Sequence, residues 1–346
     1  MQLGPAAAFV AVWKASRVKA FRCRICDQPL HFENSACVSC GTRLGYSREE
    51  RAIVPVDGKG RYVDGHGAEW FVCRNLALSG CTWLAPSEGG QCFACDLTRT
   101  RPNDDDATGL ANYPAAERAK RHLVVELDTL GFPLVGKHED EENGLAFDLL
   151  SSTEENVTIG HANGLITIDL AESEAAHREK VRERLGEPYR TMLGHFRHEV
   201  GHYYEWQLVR GDELLSQCRD LFGDDTLDYQ GELDRHYSEG PPAGWESSYI
   251  SSYATMHPFE DFAETWAHYL HICDTIETAS EYSLTTVGTV SSFSQFRDVV
   301  VGIWMPLTVA LNMINRSMGH EDLYPFVIPE GVLDKLDFVA TLAKTA

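Results

Sequence analysis

The residues of this chain best arranged for chemistry are His198, Glu199 and His202, inside the run Gly194-His-Phe-Arg-His-Glu-Val-Gly-His-Tyr-Tyr-Glu-Trp206. On an α-helix, histidines four residues apart project from one face. Both imidazoles can then reach one zinc ion, with Glu199 placed as general base for a water that the metal activates. A hydrolytic zinc site needs a third protein ligand and keeps its fourth position open. The stretch His257-Pro-Phe-Glu-Asp-Phe-Ala-Glu-Thr-Trp-Ala-His-Tyr-Leu-His271 supplies Glu260 and Glu264, again one helical turn apart. One carboxylate can complete the metal site while the other accepts the remaining ring N–H of a bound histidine and so fixes its tautomer. We assign Glu260 as the ligand and Glu264 as the support, with the exchanged assignment open at this stage; Asp261 is read as a charge favoured by the helix N-terminus. An oxyanion donor is expected beside the metal, and His236, Tyr237, Tyr253 and His257 are the candidates. His195 and Arg197 are read as packing or supporting groups of the same helix, and His268 and His271 as structural histidines.

A second metal chemistry is written in the cysteines. Eight of the ten fall into two quartets, Cys23, Cys26, Cys37, Cys40 and Cys73, Cys81, Cys92, Cys95. Paired C-x2-C knuckles make tetrahedral four-thiolate zinc sites, which are closed and therefore structural. The first quartet is regular, with Gly41 supplying a permissive backbone after its second knuckle; the second has seven residues between Cys73 and Cys81. His31 and His66 are read as surface or loop residues, and Cys218 and Cys273 as small buried apolar groups. The expected cofactor complement is one catalytic zinc and two structural ones.

Positioning these groups takes a modular chain. Residues 19–102 are expected to form a tandem zinc-ribbon region, 103–114 an acidic linker, and 115–346 a mainly helical, zincin-like domain with a small antiparallel sheet, an α+β architecture. Helical periodicity begins at Ala115 and ends at Leu130 before Gly131. Asn143–Leu150 and Val157–Leu170 are rich in strand formers, with an Asn-Gly turn at Asn163. Gly164–Leu170 is either the sheet edge above the cleft, where an extended peptide could add as a further strand, or a buried strand without substrate contact. Helices are expected over Glu172–Leu185, Tyr189–Val209, Asp212–Phe222, Leu227–Tyr237, His257–His271, Ser294–Met318 with a kink at Pro306, and Glu330–Ala343.

Composition narrows the class. With 43% hydrophobic and 24% charged residues the chain is that of an ordinary globular protein. Residues 1–102 carry 13 Lys+Arg against 9 Asp+Glu, whereas residues 103–346 carry 17 against 43. The acidic part is a poor surface for nucleic acid; the ribbons leave that question open. No apolar run long enough to span a bilayer is evident, and Leu3–Trp13 lacks the marks of a signal peptide. Translation could begin at Val18, making residues 1–17 non-native. Cysteines spaced for metal and no export signal suggest a cytoplasmic protein.

Taken together, Phe-Arg-Cys-x-x-Cys from Phe21, Gly160–Ile168, Glu187-Pro-Tyr-Arg-Thr191, Gly194–Tyr204 and His257–His271 resemble a bacterial family of zinc-binding metallopeptidases with an N-terminal zinc ribbon. The resemblance spans roughly residues 20 to 285. Here Glu205 stands between the paired tyrosines and Trp206, where the family pattern has tryptophan directly. The resemblance, like the gluzincin-like pair of motifs, implies a zinc peptidase acting on protein or peptide substrates, with the ribbons recruiting a partner or substrate. The alternative is a non-catalytic adaptor whose ribbons bind partners and whose zincin-like part is an inactive scaffold.

Overall fold

In the computed structural model, residues 20–152, 157, 159–174, 191–285 and 295–345 are described. The reading of residues 1–17, the Glu187–Thr191 motif up to Arg190, and most of the Glu172–Leu185 helix lie outside them. Each knuckle of the first quartet turns on a left-handed residue just after its second cysteine, Asp27 (φ 61°) and Gly41 (φ 72°). Strands β1 (Leu44–Ser47) and β2 (Ala52–Pro55) form a hairpin beyond it. β3 (Arg61–Val63), β4 (Glu69–Val72) and β5 (Leu84–Ala85) form an antiparallel sheet beside the second quartet. The irregular Cys73–Cys81 spacing holds one helical turn, Leu76–Ser79, closed by Gly80 in the left-handed region. Extra residues therefore lengthen the knuckle without opening the cluster.

The ribbon region and the main domain share a sheet. β6 (Thr98–Thr100) pairs in parallel with β7 (Ala146–Leu150), so a strand counted with the ribbons builds the sheet of the main domain. The expected linker is mostly helix: α1 spans Ala107–Leu130, with the Asp106 side chain accepting from the Gly109 amide at its start. Pro114 costs this helix one backbone hydrogen bond, which a long buried helix absorbs. At the other end Gly131 (φ 80°) caps it. β8 (Gly160–Ala162) and β9 (Leu165–Asp169) form the hairpin that the Asn-Gly turn predicts, but β9 also pairs in parallel with β7, giving the order β6-β7-β9-β8. The sheet is thus mixed rather than wholly antiparallel. Gly164–Leu170 lies inside it, and β8 and β6 are its edges.

One buried and one half-buried ion cluster weld the ribbons to α1. Glu117, fully buried, accepts from Lys120 Nζ at 2.7 Å and Thr98 Oγ1 at 2.6 Å and lies 3.8 Å from Cys95 Sγ. Arg48 donates twice to Asp128, both at 2.7 Å, with its guanidinium carbon 3.6 Å from the centre of the Phe93 ring.

The remaining helices are α2 (Met192–Leu208), α3 (Asp212–Phe222), α4 (Tyr229–Glu239), α5 (Pro258–Glu281), α6 (Phe296–Ser317) and α7 (Glu330–Thr345). In α6 a π-helical turn, Val300–Trp304, precedes Met305 and Pro306. An expanded turn upstream of the proline accommodates the missing donor and replaces the simple kink. By length and composition α6 is apolar enough to cross a membrane, because Thr308 and Asn312 interrupt its hydropathy without charge, whereas the sequence reading found no such run. Its Phe296, Val299, Val300, Ile303 and Trp304 are buried in the protein core. Asp261 is fully buried and paired with Lys335 of α7 (2.6 Å), a tertiary contact rather than a free N-terminal charge.

The central packing is α2 against α5. Phe196, Val200 and Tyr204 of α2 and Phe262, Ala263 and Trp266 of α5 are buried, and Tyr204 stacks on Trp266 with ring centres 4.9 Å apart. Gly201 sits where the helices come closest: a Cβ there would lie 2.9 Å from Ala263 Cα and 3.2 Å from both the Ala263 carbonyl oxygen and Trp266 Cβ. Backbone cannot yield as a side-chain tip can, so a methyl must push the helices apart. Gly201→Ala is expected to lower stability by about 1–3 kcal/mol and to loosen metal binding between the two helices while the cysteine quartets keep theirs. Thermal unfolding together with zinc retention on dialysis reads both; wild-type values for each would contradict the close-approach role.

Candidate metal centre

The sequence positions the centre from both helices. Thr191 caps α2, its hydroxyl accepting from Gly194 N, and His257 caps α5, its Nδ1 accepting from Phe259 N at 3.1 Å. With α2 and α5 packed at Gly201, the faces bearing His198, His202, Glu260 and Glu264 meet. His198, His202 and Glu260 each offer one ligand atom, all within 4.8 Å of one another. Glu260 Oε2 lies 2.9 Å from His198 Nε2 and 3.6 Å from His202 Nε2. His198 Nδ1 lies 2.8 Å from Glu264 Oε1, and Ser251 Oγ donates to the other Glu264 oxygen at 2.7 Å. Of the two assignments left open by the sequence, this geometry favours Glu260 toward the metal and Glu264 behind the histidine. Tyr229 donates to Glu260 Oε1 at 2.7 Å, which leaves Oε2 for the metal.

Two buried oxygens test whether a cation fits. Glu199 Oε2 has no hydrogen-bond partner in the structure, and Glu260 Oε2 faces only the Nε2 atoms of His198 and His202. A buried carboxylate oxygen left in this state is costly, and a divalent cation beside Glu260 with a water beside Glu199 satisfies both. Burial opposes a proton on His198, yet the hydrogen bonds and charges of Glu260 and Glu264 hold its pKa well above the ordinary histidine value. Burial likewise opposes charge on Glu199, but the His195 hydrogen bond and the nearby imidazoles keep its carboxyl below the usual range, so it is ionised at neutral pH. His195 Nε2 stands 3.3 Å from Glu199 Oε1. His195 therefore contacts the carboxylate read as the base.

These groups line a cavity of about 930 Å³. The oxyanion candidates divide. Tyr237 and Tyr253 line the cavity, and the Tyr253 ring centre is 5.9 Å from that of His198. His236 and His257 do not line it: His257 is engaged at both ring nitrogens, accepting from Phe259 N and donating from Nε2 to the Leu227 carbonyl (3.3 Å), and His236 faces Thr255. Both were proposed on residue type, which does not report where a ring nitrogen points. His268 and His271 hold structural partners, Tyr324 and Arg197. Burial drives the His268 pKa down to about 4, so it is neutral. Tyr229 and Ser251 were missed, since nothing in their spacing ties them to either motif.

The quartets also assemble. Sγ atoms approach to 3.7 Å (Cys23 and Cys40), 3.6 Å (Cys26 and Cys37) and 3.5 Å (Cys81 and Cys92), far beyond a disulfide bond. All ten cysteines are free thiols.

If the three clusters each take one zinc, the chain should carry about three, and the His198→Ala, His202→Ala double variant about two. Because the proton favoured on His198 must leave for the metal, affinity at the cleft should rise by up to about tenfold per pH unit below that raised pKa. Chelator competition across the neutral range reads this. Unchanged stoichiometry in the double variant, or a cleft affinity indifferent to pH, would contradict the assignment.

The chain is similar to known proteins in two parts. Residues 109–342 match the model of a family described as "Putative zinc-binding metallo-peptidase", and residues 20–106 match a zinc-ribbon domain. Uncharacterized proteins of Mycobacterium tuberculosis (strain H37Rv) and Mycobacterium bovis are each 49% identical over 336 residues, covering 94% of this chain and 95% of theirs. No solved structure matches. With its family match covering most of the chain and its two cysteine clusters lying in the matched ribbon, the protein belongs to this zinc-binding metallopeptidase family and carries an N-terminal zinc ribbon.

Proposed function

We propose that the chain is a zinc-dependent peptidase that hydrolyses peptide bonds in the cleft between α2 and α5. The observation that carries the proposal is the convergence of His198 Nε2, His202 Nε2 and Glu260 Oε2 beside the buried, ionised Glu199 in a cavity large enough for several residues of a peptide. Zinc held by His198, His202 and Glu260 would supply a Lewis acid that acidifies water and polarises the scissile carbonyl. Glu199 takes the proton of the attacking water and returns it to the leaving amine. His195 orients Glu199 through its hydrogen bond, and Glu264 holds His198 in the tautomer that presents Nε2 to the metal. Burial, with the nearby charge of Glu260, keeps the Tyr253 hydroxyl protonated, which suits it to donate to the oxygen that gains charge at the carbonyl. β8, the edge strand that forms part of the cavity wall, is suited to pair with an extended substrate backbone.

The two quartets are proposed as structural zinc sites. Their closed sets of four thiolates leave no position for substrate. Cysteines grouped in metal-binding quartets suit a reducing, cytoplasmic setting, which we propose for the chain.

Glu199→Gln tests the mechanism. Wild-type protein loaded with zinc should cleave members of a broad peptide library followed by mass spectrometry, and the variant should hold the same zinc while losing roughly a hundredfold to ten-thousandfold in rate. Equal inertness of the two on peptides and on cell extract would favour the adaptor alternative.

A further inference from the structure

One residue of the α2 face is unused by this mechanism. His195, His198, His202 and Glu205 recur every three or four residues along α2, and all line the cavity. Glu205 lies one turn beyond His202, so its side chain shares the face of the metal ligands. Every other carboxylate of the wall has a described partner or role: Glu199 meets His195, Glu260 meets Tyr229 and the histidines, Glu264 meets His198 and Ser251, and Asp225 is held by Arg219. Among the described residues no hydrogen bond or ion pair reaches the Glu205 carboxylate. Burial, and then the charges of Asp225, Glu260 and Asp261, push its carboxyl well above the ordinary range. The arrangement disfavours an anion there unless a cation enters.

The wall is acidic even when a metal is counted. Arg197 is the one Lys or Arg lining the cavity among the described residues, and it is committed to Glu126 and Asp274. Beyond the wall, residues 103–346 carry 43 acidic against 17 basic residues. A cleft with this lining, in a domain of this charge, attracts cationic ligands and repels anionic ones.

We propose that Glu205 forms a subsite in the cleft that binds a cationic group of the substrate, an ammonium or guanidinium, and selects peptides bearing one near the scissile bond. This rests on the peptidase reading and names its substrate class. The same chemistry is offered by a Lys or Arg side chain and by a free peptide N-terminus, and the test separates them.

The experiment uses the full chain loaded with zinc and four versions of one cleavable peptide: lysine or acetyl-lysine near the bond, each with a free or an acetylated N-terminus. Cleavage by wild type and Glu205→Gln is compared. In parallel, binding of the same peptides to Glu199→Gln and to Glu199→Gln, Glu205→Gln is followed by fluorescence anisotropy, so that the subsite is tested whether or not hydrolysis occurs. The subsite predicts that masking the cationic group weakens binding to the Glu199→Gln protein about tenfold or more, that Glu205→Gln removes most of this difference, and that added salt does the same more gradually. Sensitivity to lysine acetylation places the side chain in the subsite; sensitivity to N-terminal acetylation places the peptide amine there. Circular dichroism and zinc content of Glu205→Gln should match wild type, since amide and carboxylate are nearly isosteric. Equal binding of all four peptides, no binding of any, or a charge preference that survives Glu205→Gln would overturn the subsite. Absence of cleavage with charge-selective binding intact would instead overturn only the peptidase reading.

Discussion

The close approach of α2 and α5 at Gly201 is the constraint on which the site depends. Three ligand atoms come from two helices far apart in sequence, and their mutual distances are a few ångströms. The absent Cβ of Gly201 lets one helix backbone rest on Ala263 and on the first side-chain carbon of Trp266. Close-packed interiors transmit displacement rather than absorb it, so spacing set at that contact becomes spacing between the histidines and Glu260. The same contact carries Glu264 to the far side of His198, which fixes the ring as well as its position.

Around this contact the rest of the chain acts as a brace. Arg197, buried on α2, donates to Glu126 of α1 at 3.0 Å and to Asp274 of α5 at 2.8 Å, linking three helices through one guanidinium. A planar fork with several donors suits such a junction better than an ammonium. The C-terminal helix clamps the other end of α5 through Lys335 and Asp261. The ribbons enter the same frame: Arg48 holds Asp128, Glu117 joins α1 to the second quartet, and β6 extends the sheet. The second quartet is therefore part of the support beneath the metal centre, not a tethered accessory, and loss of its metal would reach the cleft through α1.

Much of this was legible in local sequence. His198, Glu199 and His202 follow from helical period, Glu260 and Glu264 from the same period plus the need for a third ligand, and both quartets from spacing. What was not legible depends on contacts between distant segments. β6 pairs with β7 across nearly fifty residues, so its parallel register and the loss of the linker could not be seen in either segment alone. Whether Gly164–Leu170 is edge or buried strand could not be decided locally, because it depends on β7, which covers β9. His236 and His257 were offered as donors on residue type, whereas capping and a carbonyl contact decide what the His257 nitrogens do. Tyr229 reaches Glu260 from another helix, a relation that no spacing records.

The central claim is that α2 and α5 together hold one zinc ion. Anomalous diffraction at the zinc edge from crystals of the zinc-loaded protein tests it most directly. The account predicts a peak about 2.0–2.2 Å from His198 Nε2, His202 Nε2 and a Glu260 oxygen, with Glu264 still on His198 Nδ1 and further peaks within the two cysteine quartets. A cleft without a peak, or an ion held by Glu264 in place of Glu260, would contradict it.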